Sequence, residues 1–327
     1  MIRRVLLGLV LPGVLLFSGV DYSRHPRAKA FVATMHTKHR FDRRYVLKLL
    51  KQAKHQPKTL ARYQGRHKVG ATDFSWHRYK SKILIPESIA LGRKFMYKNK
   101  KWLRKASRKY GVSPAIITAF IRVESKFGLF GSEYSVWDSL VTLAFNPNRK
   151  QRFFRGELEK VLILARREHL DPLKLRGSFA GAMGCVQQVP SMYLRHGTDL
   201  DGDGRRDPNS MADCIGSIAA FLHRNGWRDA RATLVPARAK DNGFLKLRSG
   251  YKSRYSLATL RRYGIQPTRR FHEKNAYFVR LKDGKKWDLY LGDRNYRIIT
   301  LYNASKRYAV TIALYAQALK SATKGGR

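Results

Sequence analysis

The sequence predicts an α+β protein that is predominantly α-helical. Apolar residues recur at helical spacing through much of residues 31–227, whereas short alternating apolar runs follow residue 227. Residues 277–281 and 287–291 are two such runs, and the Lys-Asp-Gly sequence at 282–284 between them predicts a β-hairpin with a tight turn. With 327 residues and 43% hydrophobic content, the chain can bury a sizeable core.

The N-terminus has the pattern of an export signal. Arg3 and Arg4 precede an apolar run over 5–17 that is short for a membrane-spanning helix. Residues 1–20 are therefore interpreted as a signal peptide or an uncleaved N-terminal anchor. Since no cysteine stands directly after the apolar run, a lipoprotein anchor is unsupported. We expect an exported protein of the periplasm or cell envelope, where conditions are oxidising.

The rest of the chain divides into segments by composition and hydrophobic pattern. A loop-rich stretch is expected near 56–75 and a return to helix at about 303–321. The segments are a basic helical region at 21–110, a helical segment with the motifs at 111–232, an inserted small β element at 233–295 and a C-terminal return to the core at 296–327.

The charge of the chain indicates a polyanionic partner. The net charge is +45, and residues 1–110 contain 28 Lys and Arg against 4 Asp and Glu. Nucleic acid is the usual partner of such a protein, but the sequence has no nucleic-acid-binding motif, and basic clusters such as 98–101 could equally form a solvated helix face. Bacterial cell wall and other envelope polymers are also anionic, so they remain alternative partners.

One glutamate has the position expected of a general acid. Ser113 and Pro114 suit the start of a helix and Gly128 suits its end. Glu124 continues an apolar stripe that begins at Ile117, so its carboxyl should be partly desolvated and its pKa raised. Such a carboxyl can hold a proton near neutral pH and donate it to a glycosidic oxygen. A structural ion pair with a neighbouring Arg or Lys is the alternative.

Residues 178–191 form a run that is dense in small side chains. Their small size allows close approach of backbone and ligand, and Gln187 offers both a donor and an acceptor. A glycosidase ordinarily uses two carboxylates, yet no convincing second one follows Glu124. Glu133 and Asp138 are near in sequence, but Asp138 lies in a helical stretch and is interpreted as a packing or capping residue.

Two motifs and their spacing resemble a known family. The sequence from Ser178 to Gln187 reads Ser-x-Ala-Gly-Ala-Met-Gly-x-x-Gln, and it lies about fifty residues after a helical Val-Glu. This combination resembles the lytic murein transglycosylases of the membrane-bound B family. The resemblance implies a lysozyme-like helical core over 111–232 and peptidoglycan glycan strands as substrate. It implies that Glu124 acts first as acid and then as base, without a cofactor, to give 1,6-anhydro products, and that Ser178 and Gln187 position the sugar. A hydrolytic muramidase and a non-catalytic basic protein that binds cell wall or nucleic acid are the alternatives; for Ser178, a turn with a helix cap is the alternative.

Three further residues near the C-terminus match this family. The resemblance implies that Tyr302, Asn303 and Tyr308 return to the site, with one tyrosine lining a sugar subsite and the other placing its hydroxyl near the acid. Phe221 stands where many relatives have a tyrosine, and it would keep a stacking face for substrate while losing a hydroxyl. Judged from spacing alone, such tyrosines are commonly core residues.

An Asp-rich loop at 199–205 begins like a calcium-binding loop. Aspartates stand at positions 1, 3 and 5, glycine at 6 and a backbone carbonyl at 7, but position 12 is Ser210 where a glutamate is expected. The family resemblance implies a longer loop that closes with an acid. The expected ligands of a structural Ca²⁺ are Asp199, Asp201, Asp203, Arg205 through its carbonyl, and Asp213. Sodium, magnesium or a turn held by Arg205 or Arg206 are alternatives.

The two cysteines, Cys185 and Cys214, leave two interpretations open. They could form a disulfide if the fold brings their Cα atoms within about 4.4–6.8 Å. The preferred interpretation from sequence is two separate buried thiols.

Overall fold

The structure is a computed structural model that describes residues 20–65, 75–229 and 233–324. It confirms a mostly helical fold with small sheets. Most of the predicted signal or anchor segment lies outside the described residues. Within them, no helix combines the length and the apolar character needed to cross a bilayer.

Helices supply most of the regular structure. Those of the described residues are α1 (Ala28–His39), α2 (Arg43–Gln52), α3 (Pro57–Gln64), α4 (Trp76–Ile83), α5 (Pro86–Lys98), α6 (Lys100–Tyr110), α7 (Pro114–Ser125), α8 (Val136–Phe145), α9 (Gln151–Arg167), α10 (Pro190–His196), α11 (Met211–Arg224), α12 (Leu257–Arg262), α13 (Arg294–Tyr302) and α14 (Lys306–Lys324). The strands are β1 (Tyr134–Ser135), β2 (Arg176–Gly177), β3 (Leu234–Ala239), β4 (Arg254–Ser256), β5 (Ile265–Pro267), β6 (Asn275–Asp283) and β7 (Lys286–Gly292).

The basic N-terminal region is more helical than expected. The stretch predicted to be loop-rich contains α3, so that part of the prediction is wrong. Pro57 stands in the first turn of α3, where its fixed φ favours the helix. Thr59 and Leu60 are buried, so tertiary packing stabilises this short helix. Residues 66–74 of the same stretch lie outside the described part.

Helix α7 lies at the centre of the main core, where it packs against α5, α11 and α14. Its apolar stripe is fully buried, as the sequence predicts. The helix ends earlier than predicted, because Lys126 adopts the left-handed region with a φ of 47° and Phe127 and Gly128 follow at 66° and 88°. Left-handed backbone at two non-glycine residues, beginning two residues after Glu124, is strained and needs the surrounding structure to hold it.

The inserted β element is a five-stranded antiparallel sheet in the order β4-β6-β7-β3-β5. The predicted hairpin is β6 and β7, whose register pairs Asp283 with Lys286, and Gly284 in the turn has a φ of 61°. Phe278 and Leu291 belong to a small separate core of the sheet. Strands β4 and β5 were not predicted, because three residues are too few to show an alternating pattern.

The chain returns to the core as two helices and not as one. Asp293 caps α13 by accepting hydrogen bonds from the N–H groups of Asn295 and Tyr296, so helix begins before the predicted start near 303. Helix α14 then begins at Lys306. The break between them separates Tyr302 from Tyr308.

Candidate active site

Glu124 stands in the last turn of α7, and its side chain is half-buried. The Tyr308 hydroxyl donates a hydrogen bond of 2.5 Å to its Oε1. Burial raises the pKa of the Glu124 carboxyl to about 7, although the hydrogen bond from Tyr308 acts to lower it. No Lys or Arg of the described residues forms a salt bridge with Glu124, so the alternative of a structural ion pair is wrong. The carboxyl can therefore hold a proton near neutral pH.

Two tyrosines from the α13–α14 break pack against the helix that carries this acid. The Phe120 ring, one turn before Glu124, lies with its centroid 5.1 Å from the Tyr302 ring and 6.1 Å from the Tyr308 ring. The Tyr302 hydroxyl donates to the carbonyl oxygen of Val186 at 2.5 Å. Tyr308 thus meets the acid as the resemblance implies, whereas Tyr302 ties the site to the loop around Val186.

Phe221 does not offer a face to a substrate. Its ring is only 4% exposed and is enclosed by His196 and Tyr302, with centroid distances of 5.0 and 4.9 Å. The expectation of direct stacking on a sugar is therefore wrong, because Tyr302 covers the ring. Asn303 is exposed at the C-cap of α13, where a role in binding remains a prediction.

We call residues 178–188 the substrate loop. Ser178 Oγ accepts hydrogen bonds from the N–H groups of Ala180 and Ala182, so it stabilises the turn, although its side chain is partly exposed. Gln187 adopts a left-handed φ of 49°, and its Nε2 donates to the carbonyls of Gly131 and Gly184, both at 2.8 Å. Among the described residues, no donor contacts the amide oxygen of Gln187, so this oxygen can accept a hydrogen bond.

The acids that follow Glu124 in sequence are engaged elsewhere. Glu133 Oε1 accepts from the N–H of Gly131 at 3.1 Å, and Asp138 Oδ1 accepts from the N–H of Lys54 at 2.9 Å. Asp138 stands in the first turn of α8, where its N–H donates to Oγ of the N-cap residue Ser135 at 3.1 Å, so of the two interpretations, packing or capping, the structure supports packing against the segment after α2. Among the described residues, neither acid contacts Glu124.

The sequence missed one aromatic residue of the site. Tyr79 on α4 is partly buried, and burial together with the nearby Glu124 carboxylate raises the pKa of its hydroxyl. The Tyr79 charge would in turn raise the pKa of Tyr308, so the three groups are close in space. Nothing in the local pattern of α4 links it to residue 124, because that proximity is created by tertiary packing.

The Asp-rich loop forms a cluster that suits a hard cation. Carboxylate oxygens of Asp199, Asp201 and Asp213 lie within 4.8 Å of one another. Burial raises the pKa of Asp213 to about 6, with further contributions from the charges of Asp201 and Asp199. Asp201 Oδ1 is buried and has no hydrogen-bond partner among the described residues. A cation would satisfy this oxygen and offset the repulsion among the three carboxylates.

Asp203 is not part of this cluster. Its Oδ1 accepts from the N–H of Arg205 at 2.8 Å, which turns the carboxyl to the loop's own backbone, so the structure does not support Asp203 as a ligand. The alternative of a turn held by arginine is not supported either, because Arg206 pairs with Glu168 at 2.6 Å. A ligand role for the Arg205 carbonyl remains a prediction.

A disulfide joins Cys185 of the substrate loop to Cys214 of α11, with 6.1 Å between the Cα atoms. The preferred interpretation of two separate thiols is therefore wrong, because tertiary contacts bring the loop against α11. The Cys185 N–H also donates to the Pro208 carbonyl at 3.3 Å. A Cβ at Gly184 would lie 1.8 Å from that oxygen, so only glycine allows this approach.

This arrangement defines the class of the protein. The core is lysozyme-like, and the site has one half-buried carboxyl with a raised pKa beside a small-residue loop. That combination is typical of enzymes that cleave glycans by acid catalysis.

The chain belongs to the family of transglycosylase SLT domains, whose family model matches residues 23–317. It is 34% identical over 308 residues to the membrane-bound lytic murein transglycosylase B of Escherichia coli strain K12, covering 92% of this chain and 84% of the relative. The structure of the Escherichia coli lytic transglycosylase SLT35 in complex with calcium superimposes with a TM-score of 0.85 at 34% identity, covering 93% of this chain and 96% of the other. The soluble lytic transglycosylase SltB1 of Pseudomonas aeruginosa gives a TM-score of 0.82 at 30% identity, with 91% and 100% covered.

Proposed function

We propose that this protein is a peptidoglycan lytic transglycosylase that cleaves the β-1,4 bond between N-acetylmuramic acid and N-acetylglucosamine. Family membership and the lytic murein transglycosylase of Escherichia coli support the substrate class. The observation that carries the chemistry is the single half-buried carboxyl of Glu124, with a pKa of about 7 and a hydrogen bond from Tyr308.

The proposed reaction uses Glu124 twice. The protonated carboxyl gives its proton to the glycosidic oxygen, so that the bond from the muramic acid anomeric carbon to that oxygen breaks. The Glu124 carboxylate then takes the proton of the muramic acid 6-hydroxyl, while the oxygen of that hydroxyl attacks the anomeric carbon. The product is a 1,6-anhydro ring, Glu124 recovers its proton, and water is not consumed.

A pKa near 7 suits both steps, because the group must be a proton donor in one and an acceptor in the other. Since Tyr308 donates to Oε1, the second carboxyl oxygen, Oε2, is the one that would carry the proton. A hydrolytic muramidase would need another group to activate water, and Glu133 and Asp138 are bonded elsewhere. Transglycosylation therefore requires fewer catalytic groups from the protein than hydrolysis does.

The remaining task is to position the sugar. Gln187 can offer its Oε1 to a sugar N–H or O–H, since its Nε2 is used to fix the loop. The partly exposed Tyr302 ring and the exposed Asn303 are proposed to line one subsite, and Ser178 another. Fixed groups of this kind lower the entropic barrier of the ring closure.

We propose that calcium occupies the Asp199, Asp201 and Asp213 cluster with a structural role. The calcium complex of the Escherichia coli relative supports the choice of ion. The ion would take no part in the chemistry. It would hold the segment around Pro208 and the start of α11, which are bound to the substrate loop by the Cys185 hydrogen bond and by the disulfide to Cys214, respectively.

We also propose that the protein works in the periplasm or cell envelope. The pattern of residues 1–20 supports export, either with cleavage or with retention as an anchor. The net charge of +45 suits a matrix of wall carboxylates and phosphates.

Mass spectrometry of muropeptides released from purified sacculi tests the proposal. We expect anhydro-muramic ends from the wild type, and no release by Glu124→Gln, which still binds sacculi. Positioned acid catalysis typically contributes ~10²–10⁴-fold. Glu87→Gln, an exposed change on α5, is the matched control and should retain activity. Reducing ends would indicate a hydrolase, and absence of release by the wild type would indicate a binding protein.

A further inference from the structure

A groove between α5 and α6 combines an apolar floor with a cationic rim. Its volume is about 420 Å³, which is within the usual range of ligand sites. Three of its lining residues are apolar: Met96, Leu103 and Pro114. The rim carries three exposed cations: Arg93, Lys100 and Arg104. None of the lining residues belongs to the candidate active site.

The Tyr97 side chain stands at the edge of this groove and points into solvent. It is 82% exposed, the highest value among the large hydrophobic side chains of the described residues. An aromatic ring with a hydroxyl at its tip suits the boundary between an apolar layer and water. A partner that covers the ring would therefore remove unfavourable apolar surface from water.

The outer side of α6 is basic along its whole length. Every exposed residue of this helix is Lys or Arg. Five of them recur at the spacing of one helix face, and we call them the basic face of α6: Lys101, Arg104, Lys105, Arg108 and Lys109. Among the described residues, no Asp or Glu forms a salt bridge with this face. Lys101 and Lys105 lie over the Trp102 ring instead, at 4.4 and 5.9 Å from its centroid.

This distribution of charge destabilises α6. Like charges four residues apart, such as Lys101 and Lys105, repel each other on a helix surface. Lys100 and Lys101 also stand in the first turn of α6, which contains no acidic residue and where the helix dipole disfavours a cation. An anion bound to this surface would offset both effects.

The chemistry of the groove discriminates among anionic partners. Apart from the Tyr97 hydroxyl, its lining within the described part of the chain offers no neutral polar side chain to base edges or sugar hydroxyls. A nucleic acid or a polysaccharide would therefore leave polar groups unpaired over the apolar floor. An anion that is itself amphiphilic matches both the rim and the floor.

We propose that the groove and the basic face of α6 form a docking surface for a bilayer that contains anionic phospholipids. Lipid phosphates would bind Arg93, Lys100 and Arg104, and the basic face of α6 would lie along the charged membrane surface. Tyr97 would enter the headgroup layer, with the glycerol end of a lipid over the floor. This contact would hold the protein at a membrane even after removal of residues 1–20.

Sedimentation of the full-length protein with lipid vesicles tests the inference. One set of vesicles contains phosphatidylcholine and phosphatidylglycerol, and the other contains phosphatidylcholine alone. The rim variant, Arg93→Gln/Lys100→Gln/Arg104→Gln, removes three exposed cations. A second variant, Tyr97→Ser, removes the exposed ring without a change of charge.

A control variant separates the docking surface from the overall charge of the protein. Lys246→Gln/Arg261→Gln/Arg262→Gln removes one Lys and two Arg, as the rim variant does, from exposed positions of the β element. Among the described residues these three form no salt bridge. All variants keep residues 1–20, so the contribution of that segment to binding is the same in each.

We expect the wild type to bind the phosphatidylglycerol vesicles more tightly than the neutral vesicles. Each cation at an anionic membrane contributes about fivefold, so the rim variant should lose about a hundredfold in affinity for the phosphatidylglycerol vesicles. The control variant should lose less than about fivefold, because its cations lie away from the membrane. Tyr97→Ser should lose about fivefold through the apolar contact alone.

Equal losses in the rim and control variants would mean general attraction of a basic protein to an anionic surface and would overturn the inference. Wild-type affinity in Tyr97→Ser would exclude insertion of the ring and would also overturn it. Tighter binding of a duplex oligonucleotide than of vesicles, lost in the rim variant, would assign the surface to nucleic acid instead. Should the rim variant fail to fold, the Tyr97→Ser result decides. No turnover is measured, so each of these results leaves the proposed function standing.

Discussion

Glu124→Gln should make the folded protein more stable at alkaline pH while it abolishes turnover. The fold raises the pKa of Glu124 from its ordinary value of 4.5 to about 7. Each pKa unit corresponds to ~1.4 kcal/mol, so holding the ionised carboxylate costs the folded state up to about 3 kcal/mol. Glutamine is close in size, keeps an acceptor for the Tyr308 hydroxyl, and does not ionise.

The sign of the effect follows from the raised pKa. Below pH 4.5 the carboxyl is neutral in both the folded and the unfolded chain, so it carries no penalty. Between 4.5 and about 7 the unfolded chain releases the proton and the folded protein does not, so wild-type stability falls as pH rises. Above about 7 the penalty is complete.

Urea unfolding of both proteins at pH 4, 6 and 8 measures the difference. We expect nearly equal free energies of unfolding at pH 4 and a gain of up to about 3 kcal/mol for Glu124→Gln at pH 8. Glu87→Gln serves as the control and should show little change at any of these pH values. A difference for Glu124→Gln that does not vary with pH would refute the argument that burial destabilises the ionised carboxylate.

Three further perturbations address the acid's partner, the metal cluster and the disulfide. Tyr308→Phe removes the donor that stabilises the carboxylate, so the alkaline limb of the pH profile of kcat/KM should move up by about one pH unit. A limb that does not move would show that Tyr308 has no effect on the pKa of Glu124. Calcium at about 100 times its Kd should stabilise the wild type by ~2.7 kcal/mol, measured as a calcium-dependent rise in Tm, and Asp201→Asn should lose this rise; identical melting in calcium and in chelator would exclude a calcium site. Replacing Cys185 and Cys214 together by Ala should lower the free energy of unfolding by about 3 kcal/mol, since the bond closes a separation of 29 residues; equal stability of the oxidised and reduced wild type would contradict that estimate.

The sequence by itself determined the local features. Helical spacing located α7 and placed Glu124 on its apolar stripe, and an Asp-Gly turn between alternating runs located the β6–β7 hairpin. These features can be recognised from the sequence because each depends on residues within one or two turns of each other. The motif at 178–187 likewise located the loop that we call the substrate loop. The Asp-rich loop located Asp199 and Asp201, which belong to the carboxylate cluster, and Asp203, which lies beside it.

Tertiary structure decided which of these side chains meet. Phe221 is a core residue because Tyr302 packs over it, and Asp203 turns to its own loop while Asp213, ten residues later, completes the cluster. The Cys185–Cys214 bond and the nearness of Tyr79 to Glu124 depend on how the substrate loop, α11 and α4 pack. The spacing of these residues along the chain does not indicate that packing. The pKa of Glu124 belongs to the same group, because desolvation is a property of everything that surrounds the carboxyl and not of the helix that carries it.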